Sequence, residues 1–213
     1  MLRLQNSRAV GSGPLRFLLY GSSGSGKTTA ASSFPRPLFV DCEGGLLSVR
    51  DQGVDYVRCS SITEVLEAIA TVRAHSESFE TVVVDSLTEV ARMAMEGTMR
   101  RAEGANAAGN PSLAEWGRCI HTLRQIVRSF LSLPIHVVFT ALPRQIKSPT
   151  GELQAVRPWL PGRLADEVAA AMDFVLYLHG QESADERGER VYSRGFLTVP
   201  HRKVFAKDRS GKL

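Results

Sequence analysis

Residues 15–28 read LRFLLYGSSGSGKT, and this stretch decides the fold class. The apolar run at 15–20 predicts a short buried strand. Residues 21–28 then match the pattern GxxxxGK followed by Ser or Thr at every fixed position. Residues 27–33 predict a helix, so the pattern lies between a strand and a helix, as a phosphate-binding loop requires. The stretch therefore predicts a P-loop within an α/β domain.

The chemistry of such a loop follows from its residue types. Glycines let successive backbone N–H groups turn toward phosphate oxygens, and the next helix adds its positive N-terminal end. We expect Lys27 to reach the β- and γ-phosphates of ATP and the Thr28 hydroxyl to hold Mg²⁺. The predicted nucleotide-binding residues are Gly21, Ser22, Ser23, Gly24, Ser25, Gly26, Lys27, Thr28 and Thr29. ATP and Mg²⁺ are the expected ligands.

Two acidic residues at strand ends are candidates for the remaining chemistry. Asp85 closes a run of three valines and is predicted to be the second magnesium ligand. In many ring-forming ATPases a glutamate follows that aspartate and orients the attacking water, but here Ser86 follows. We therefore predict that Glu43, just past a neighbouring strand, takes or orients the proton of that water. The alternative is that Glu43 is a surface residue at a turn.

Strands and helices alternate along the chain. Strands are predicted at 38–41, 55–59, 81–85, 135–140 and 174–178, and helices at 62–74, 87–99, 113–131 and 165–171. This order predicts a mostly parallel sheet with helices on both faces, in one domain spanning 1–213 with a flexible segment at 1–14. Residues 102–112 and 143–161 are predicted to be loops. Residues 191–199 and 203–206 are predicted to form a small C-terminal β-hairpin.

Composition and charge narrow the functional classes. The net charge is +4, but residues 190–213 carry +6 and the rest of the chain −2. Such a basic end suits nucleic acid, an acidic neighbouring subunit or plain solvation. No apolar run reaches the roughly 18 residues that span a bilayer, and no signal sequence is evident, so we expect a cytoplasmic protein with no membrane partner. The three cysteines are isolated, which argues against a disulfide framework or a zinc cluster.

Together these motifs resemble the core of the RecA superfamily. The resemblance rests on the P-loop, VDCEGG at 40–45, VVVDS at 82–86 and VVFT at 137–140. It implies a RecA-like P-loop ATPase fold, gives Glu43 the position of the hydrolytic glutamate, and gives Thr140 the position of a γ-phosphate sensor. The segments TALPRQ, PWLPGRLADEV, MDFVLYL and KDRSG are similar to phage nucleotide-binding proteins of this superfamily, including single-strand-annealing ATPases. The resemblance covers the chain from about 15 to 212.

The terminal KDRSG also resembles the KNRFG stretch of bacterial RadA. This likeness implies that Arg209 and Lys207 reach the γ-phosphate of a neighbouring subunit, as an arginine finger does, and that the active form is a homo-oligomer. The alternative is a basic surface tail.

RecA-type proteins hold single-stranded DNA with two loops, and the equivalents here are 100–112 and 143–160. The residues implied to contact DNA are Arg100, Arg101, Arg144, Lys147 and Arg157. Trp159 is available for base stacking, and Trp159 and Trp116 equally suit a core or an interface. The expected function is Mg-dependent ATP hydrolysis coupled to single-stranded DNA binding in phage recombination or annealing, in the host cytoplasm, with a single-strand-binding protein as a further partner.

Two other functions compete with this one. The first is an ATP-controlled assembly or interaction protein that binds no DNA. The second is a P-loop small-molecule kinase, which is disfavoured because 143–160 lacks an arginine-rich lid pattern and Glu43 would have no clear purpose.

Overall fold

A computed structural model describes residues 13–100, 111–184 and 190–213 of the protein. Its strands are β1 (Arg16–Tyr20), β2 (Pro37–Asp41), β3 (Asp55–Arg58), β4 (Thr81–Asp85), β5 (His136–Ala141), β6 (Pro143–Lys147), β7 (Leu153–Pro158), β8 (Phe174–Ala184), β9 (Arg190–Leu197) and β10 (Lys207–Asp208). Its helices are α1 (Lys27–Ser32), α2 (Ile62–Ala74), α3 (Leu87–Arg100), α4 (Leu113–Leu131) and α5 (Leu164–Ala171), with a 3-10 helix at Leu46–Gln52. None of the described helices is long and apolar enough to cross a membrane.

The central sheet has eight strands and is mostly parallel. Its order is β10-β8-β1-β5-β4-β2-β3, and β9 also pairs with β8. The six strands from β8 to β3 are parallel to their neighbours, whereas β9 and β10 run antiparallel to β8. The predicted fold class is confirmed. The carboxyl ends of β1, β2, β4 and β5 meet at one edge, where ligands of parallel sheets bind.

The two faces of the sheet are covered unequally. Helices α2, α3, α4 and α5 pack on one face over a large apolar cluster, and α1 with the 3-10 helix covers the other. Because both faces are covered, β4 is buried along its whole length, which explains its continuous run of valines.

Two helix starts that matter for the fold are set by serines. The Ser61 hydroxyl accepts a hydrogen bond from the Glu64 N–H at the start of α2, as predicted. At the start of α4, Ser112 and Glu115 form a reciprocal capping box. These local signals explain why the predicted bounds of α2 and α4 agree with the structure.

Two predictions about the second half of the chain need correction. Residues 143–161 are not a loop throughout, because β6 and β7 form an antiparallel hairpin there. A small C-terminal hairpin is present, but its strands are β8 and β9, and residues 203–206 do not form its second strand. Strand β8 therefore continues six residues beyond the predicted end at 178. Residues 1–12 and 101–110, which include most of the segment predicted to be flexible and Arg101, lie outside the described residues.

The amino-terminal end of β1 is tied to the elements around it. The Arg16 guanidinium donates to the carbonyls of Leu131 and Leu133 at 2.8 Å and of Ile135 at 2.5 Å, in the turn between α4 and β5. The Arg16 backbone N–H donates to Asp173 at 2.9 Å, just before β8. These bonds fix β1 between its two neighbouring strands at the end opposite the P-loop.

Candidate functional site

The P-loop follows β1 and depends on glycine for its shape. A side chain at Gly21 would place its Cβ 2.4 Å from the carbonyl oxygen of Leu178 in β8, so only glycine fits there. Gly24 and Gly26 have φ angles of 75° and 98°, which L-residues with side chains rarely adopt. The Gly21 N–H donates to the Ala141 carbonyl at 3.2 Å, which fixes the loop to the end of β5. The loop is thus held between two strands with its backbone turned into a phosphate-binding shape.

Lys27 lies inside this loop and is buried. Its ammonium group donates to the carbonyls of Gly21 and Ser22, both at 2.9 Å. Burial lowers the pKa of Lys27, and the nearby carboxylates of Glu43 and Asp85 partly oppose that shift. The Ser25 hydroxyl is buried without a hydrogen-bond partner among the described residues. A loop with a buried cation, a spare hydroxyl and turned N–H groups fits a polyphosphate. Ser22, Ser23, Gly24 and Thr29 lie on its exposed side.

The predicted magnesium ligands meet at the carboxyl end of β4. The Thr28 hydroxyl donates to Asp85 Oδ2 at 2.8 Å. The Thr140 hydroxyl, on the neighbouring strand β5, donates to Asp85 Oδ1. Burial raises the pKa of Asp85, the two hydroxyl groups oppose that shift, and the charges of Glu43 and Asp41 add to it. The structure thus brings Thr28, Asp85 and Thr140 together.

Glu43 is fixed to the same strand end by main-chain and side-chain bonds. The backbone N–H groups of Cys42 and Glu43 donate to the Asp85 carbonyl at 2.8 and 3.2 Å. The Ser86 hydroxyl donates to the Glu43 carboxylate. Glu43 is exposed, but these contacts place it beside the P-loop, near enough to influence Lys27. A carboxylate in this position can orient a water molecule.

The turn that carries Glu43 is held by Asp41, a residue that nothing in the sequence marks as functional. Asp41 is fully buried, and its Oδ1 accepts a hydrogen bond from the Gly44 N–H at 2.7 Å. Its Oδ2 forms an ion pair with the guanidinium of Arg58 at 3.0 Å and accepts no hydrogen bond among the described residues. Asp41 therefore orders the turn from within, while Glu43 faces outward.

The two basic residues predicted to act on a neighbouring subunit have partners within this chain. The Lys207 ammonium donates to the carbonyls of Ala169, Ala170 and Met172 at 3.2, 3.0 and 2.6 Å, at the C-terminal end of α5. Arg209 pairs with Asp173 at 3.1 Å. Burial and the charge of Arg209 lower the pKa of Lys207, whereas Asp173 opposes that shift. In this chain both side chains brace the end of α5.

The residues predicted to bind DNA fall into two groups. Arg144 and Lys147 are exposed on β6 and form no ion pair among the described residues. Arg100 pairs with Glu96 at 3.1 Å, and Arg157 pairs with Asp166 at 3.0 Å. Arg144 and Lys147 are thus the pair available to a ligand. Trp159 is half-buried against the core, with the guanidinium of Arg92 5.5 Å from its ring centroid.

The donor set at the carboxyl edge of the sheet fits Mg-ATP. Thr28 and Asp85 would hold the magnesium ion, and the P-loop would hold the phosphates. The fold and this arrangement define a RecA-like P-loop ATPase.

Comparisons with known proteins agree with that class. The model of the AAA_24 family, described as an AAA domain, matches residues 13–210, so the chain belongs to this family. No curated protein matches the sequence. The fold is similar to that of a KaiC-like protein from the archaeon Pyrococcus horikoshii OT3, with a TM-score of 0.50 and 16% identity over 86% of this chain and 78% of that one. A type III secretion system ATPase of pathogenic bacteria aligns with a TM-score of 0.47 and 17% identity, over 78% of this chain and 52% of its own.

Two further residues at the site carry no sequence signal that could have revealed them. Thr88, in the first turn of α3, is buried, and its hydroxyl accepts from the Leu142 N–H at 3.0 Å and donates to the Trp159 carbonyl at 3.2 Å. Arg194, on β9, lies against Gly26 of the P-loop. Both contacts join segments far apart in the chain, so only the folded structure shows them.

Proposed function

We propose that this protein is a Mg-dependent ATPase whose nucleotide state controls its grip on single-stranded DNA. The observation that carries the proposal is the connection from Thr140 to the β6–β7 hairpin. Thr140 bonds the Asp85 carboxylate, and three residues later the chain enters the hairpin that exposes Arg144 and Lys147. One short segment therefore joins Thr140, which bonds the expected magnesium ligand, to the available basic residues of β6.

In the proposed reaction, water attacks the γ-phosphorus of ATP and the bond from that phosphorus to the bridging oxygen breaks, giving ADP and phosphate. Glu43, held by Ser86, orients the water and receives its proton. Lys27 exchanges its loop carbonyls for β- and γ-phosphate oxygens, because a charged acceptor forms the stronger hydrogen bond. Magnesium bound at Thr28 and Asp85 would supply positive charge to the phosphates. Thr140 holds the Asp85 carboxylate in place from the opposite side.

Thr88 gives this chemistry a second link to the hairpin. Its hydroxyl bonds both Leu142, before β6, and Trp159, after β7. Since α3 begins two residues after Asp85, we expect a shift at the magnesium site to reach both ends of the hairpin through Thr88. In the proposed cycle, the hairpin grips a DNA strand in one nucleotide state and releases it in the other.

The biological setting that we propose is phage recombination or single-strand annealing in the host cytoplasm. The partners would be single-stranded DNA, a single-strand-binding protein and further copies of this chain. Within such an oligomer, Arg209 and Lys207 would have to leave their contacts at α5 to reach a neighbouring γ-phosphate. The similarity of the terminal KDRSG to RadA supports this role.

The first experiment is steady-state ATP hydrolysis with Mg²⁺, with and without single-stranded DNA. We expect DNA to raise turnover, Lys27→Ala to abolish it, and Glu43→Gln to reduce it by about 100-fold or more. If DNA leaves turnover unchanged and the strand does not bind in any nucleotide state, the DNA-coupled function is wrong.

Two double variants that remove equal charge test whether Arg144 and Lys147 bind DNA. The double variant Arg144→Ala/Lys147→Ala should weaken strand binding and reduce the salt dependence by a slope of about 1.4, since each phosphate contact on a single strand contributes about 0.7. Arg118→Ala/Arg128→Ala removes the same charge from the exposed side of α4 and should have little effect. Equal losses in the two double variants would indicate binding by net charge alone.

The alternative is an ATP-controlled assembly protein that binds no DNA. The observation that favours it is the number of large apolar side chains left exposed, with Leu47 and Leu113 exposed by 81% and 92%. It predicts an ATP-dependent change in oligomer size that salt does not reverse, with no effect of single strands on hydrolysis.

A further inference from the structure

The β8–β9 hairpin stands beside the P-loop and carries a cation toward it. The main chain of β8 packs directly against the loop, because the Leu178 carbonyl leaves no room for a side chain at Gly21. Across the hairpin, Arg194 pairs in register with Gly180, two residues further along β8. The strand pairing therefore directs Arg194 to the side of the phosphate-binding loop.

The Arg194 side chain lies directly against Gly26, the residue before the P-loop lysine. A Cβ at Gly26 would be 3.3 Å from Cδ of Arg194, 3.7 Å from Nε and 4.0 Å from Cζ. Among the described residues, no carboxylate pairs with this guanidinium, in contrast to Arg157 and Arg209. Arg194 is exposed, and its guanidinium has five N–H donors with no carboxylate partner among the described residues.

A tyrosine supports the arginine from the same strand. The guanidinium carbon of Arg194 is 5.7 Å from the ring centroid of Tyr192, within range of a cation–π contact. The Tyr192 ring in turn lies across Gly180, where a Cβ would be 1.7 Å from the tyrosine hydroxyl oxygen. Gly180 thus makes room for Tyr192, and Tyr192 stacks beside Arg194.

We propose that Arg194 is a second cation of the nucleotide site and contacts the β- or γ-phosphate of a nucleoside 5′-triphosphate from within the same subunit. The inference rests on the nucleotide-binding role of the P-loop. Arginine matches phosphate geometry with two parallel hydrogen bonds, whereas Lys27 supplies a point charge. The carboxylates of Glu43 and Asp85 lie close enough to Lys27 to influence its pKa, so a second cation offsets their repulsion of the phosphates.

The test is the binding of ATP, ADP and AMP by calorimetry, with Mg²⁺, to wild type and four variants. Arg194→Ala should weaken ATP binding roughly 10- to 100-fold, the usual loss for one hydrogen-bonded charge. Arg194→Lys should be intermediate because it keeps the charge without the fork. Arg190→Ala, which removes the same charge from the tip of the same strand, should bind ATP as wild type does. AMP affinity should not respond to position 194.

The fourth variant acts through geometry alone. Gly180→Ala displaces Tyr192 and should weaken ATP binding in the same direction as Arg194→Ala, without any change in charge. Arg194 is exposed, so thermal unfolding of the nucleotide-free Arg194→Ala protein should match wild type and exclude misfolding as the cause.

The outcomes test the role of Arg194 separately from the nucleotide-binding role of the P-loop. If wild type binds ATP and Arg194→Ala binds it equally well, the role of Arg194 is wrong and the P-loop function stands. Equal losses in Arg194→Ala and Arg190→Ala also overturn it, since they would report general charge. If wild type binds no ATP, the nucleotide-binding role of the P-loop itself fails.

Discussion

Ser86 and Glu43 are joined by a hydrogen bond that crosses from β4 to the turn after β2. The residue that follows the expected magnesium aspartate is thus a serine that holds the candidate base, while the base itself comes from another strand end. Ser86 also accepts a hydrogen bond from the Glu89 N–H at 3.2 Å, which begins α3. One hydroxyl therefore fixes both Glu43 and a helix start.

Removal of the Ser86 hydroxyl should slow hydrolysis without loss of nucleotide binding. We expect Ser86→Ala to lower kcat about tenfold, because Glu43 loses its partner and samples more positions, and to leave ATP affinity within about twofold. Steady-state kinetics and calorimetry measure the two effects.

Ser86→Gly separates positioning from helix capping. Glycine starts helices almost as well as serine, whereas alanine costs about 1 kcal/mol at that position. If kcat falls in both variants, the loss follows from Glu43. If Ser86→Gly hydrolyses ATP at the wild-type rate, Ser86 serves the helix only.

Asp85→Asn should stabilise the free protein and abolish magnesium-dependent ATP binding. Burial disfavours the ionised carboxylate, so the neutral amide should raise the free energy of unfolding by about 1 kcal/mol, the usual size of a stabilising substitution. Urea unfolding without Mg²⁺ or nucleotide tests this. With saturating Mg-ATP, wild type should have the higher free energy of unfolding, because only wild type gains stability from the ligand.

The pH dependence of that difference has a definite sign. Since burial raises the folded-state pKa of Asp85, its contribution to stability is present below the unfolded value and is lost as pH rises through the raised pKa. The advantage of Asp85→Asn should therefore appear at neutral pH and shrink on acidification. A constant advantage at every pH would mean that ionisation of Asp85 is not its cause.

Thr88→Val should uncouple DNA from hydrolysis. Valine keeps the shape of threonine but removes both hydrogen bonds to the base of the β6–β7 hairpin, and the Leu142 N–H left without a partner costs about 1–3 kcal/mol. We expect basal ATP turnover within about threefold of wild type and the stimulation by single strands to be lost. Thr98→Val is the control, because the Thr98 hydroxyl bonds the Ala94 carbonyl of its own helix and the Cys119 thiol of α4 rather than the base of the hairpin.

Lys207→Met should destabilise the monomer, because three carbonyls at the end of α5 lose a charged donor. A loss of up to about 2 kcal/mol in the free energy of unfolding is expected, measured in urea at a concentration where the protein is monomeric. If stability is unchanged but hydrolysis collapses only in the oligomer, Lys207 acts on the neighbouring subunit instead.

Much of the fold could be predicted because its signals are local. The P-loop is contiguous, the buried valines of β4 specify a central strand, and Ser61 marks a helix start in the sequence. Thr28, Asp85 and Thr140, each singled out in the sequence for a separate role, lie together because parallel strands bring their carboxyl ends to one edge.

The β6–β7 hairpin and the strand pairing of the C-terminal hairpin could not be predicted, for a physical reason. Pro143 and Pro158 begin and end the β6–β7 pair, where a two-stranded sheet tolerates missing donors, yet in sequence they indicate a loop. The second half of β8 pairs with β9 outside the core, so it has no need for apolar alternation. The contacts of Thr88 and Arg194 depend on how those hairpins pair, so the sequence does not predict these contacts either.

The hydrogen bonds of Arg16 at the amino-terminal end of β1 predict which sequence variants lose folded protein and which lose only activity. That end is locked by main-chain carbonyls and Asp173, so substitutions there should appear as low yield of folded protein. At the opposite end of the same strand, the side chains of Lys27 and Thr28 can exchange their present contacts for those of a ligand, so substitutions of these two residues should leave the yield intact while turnover falls. A variant library screened for expression and for activity should therefore show loss of expression at positions near the amino-terminal half of β1. Loss of activity alone should appear at positions near its carboxyl-terminal half.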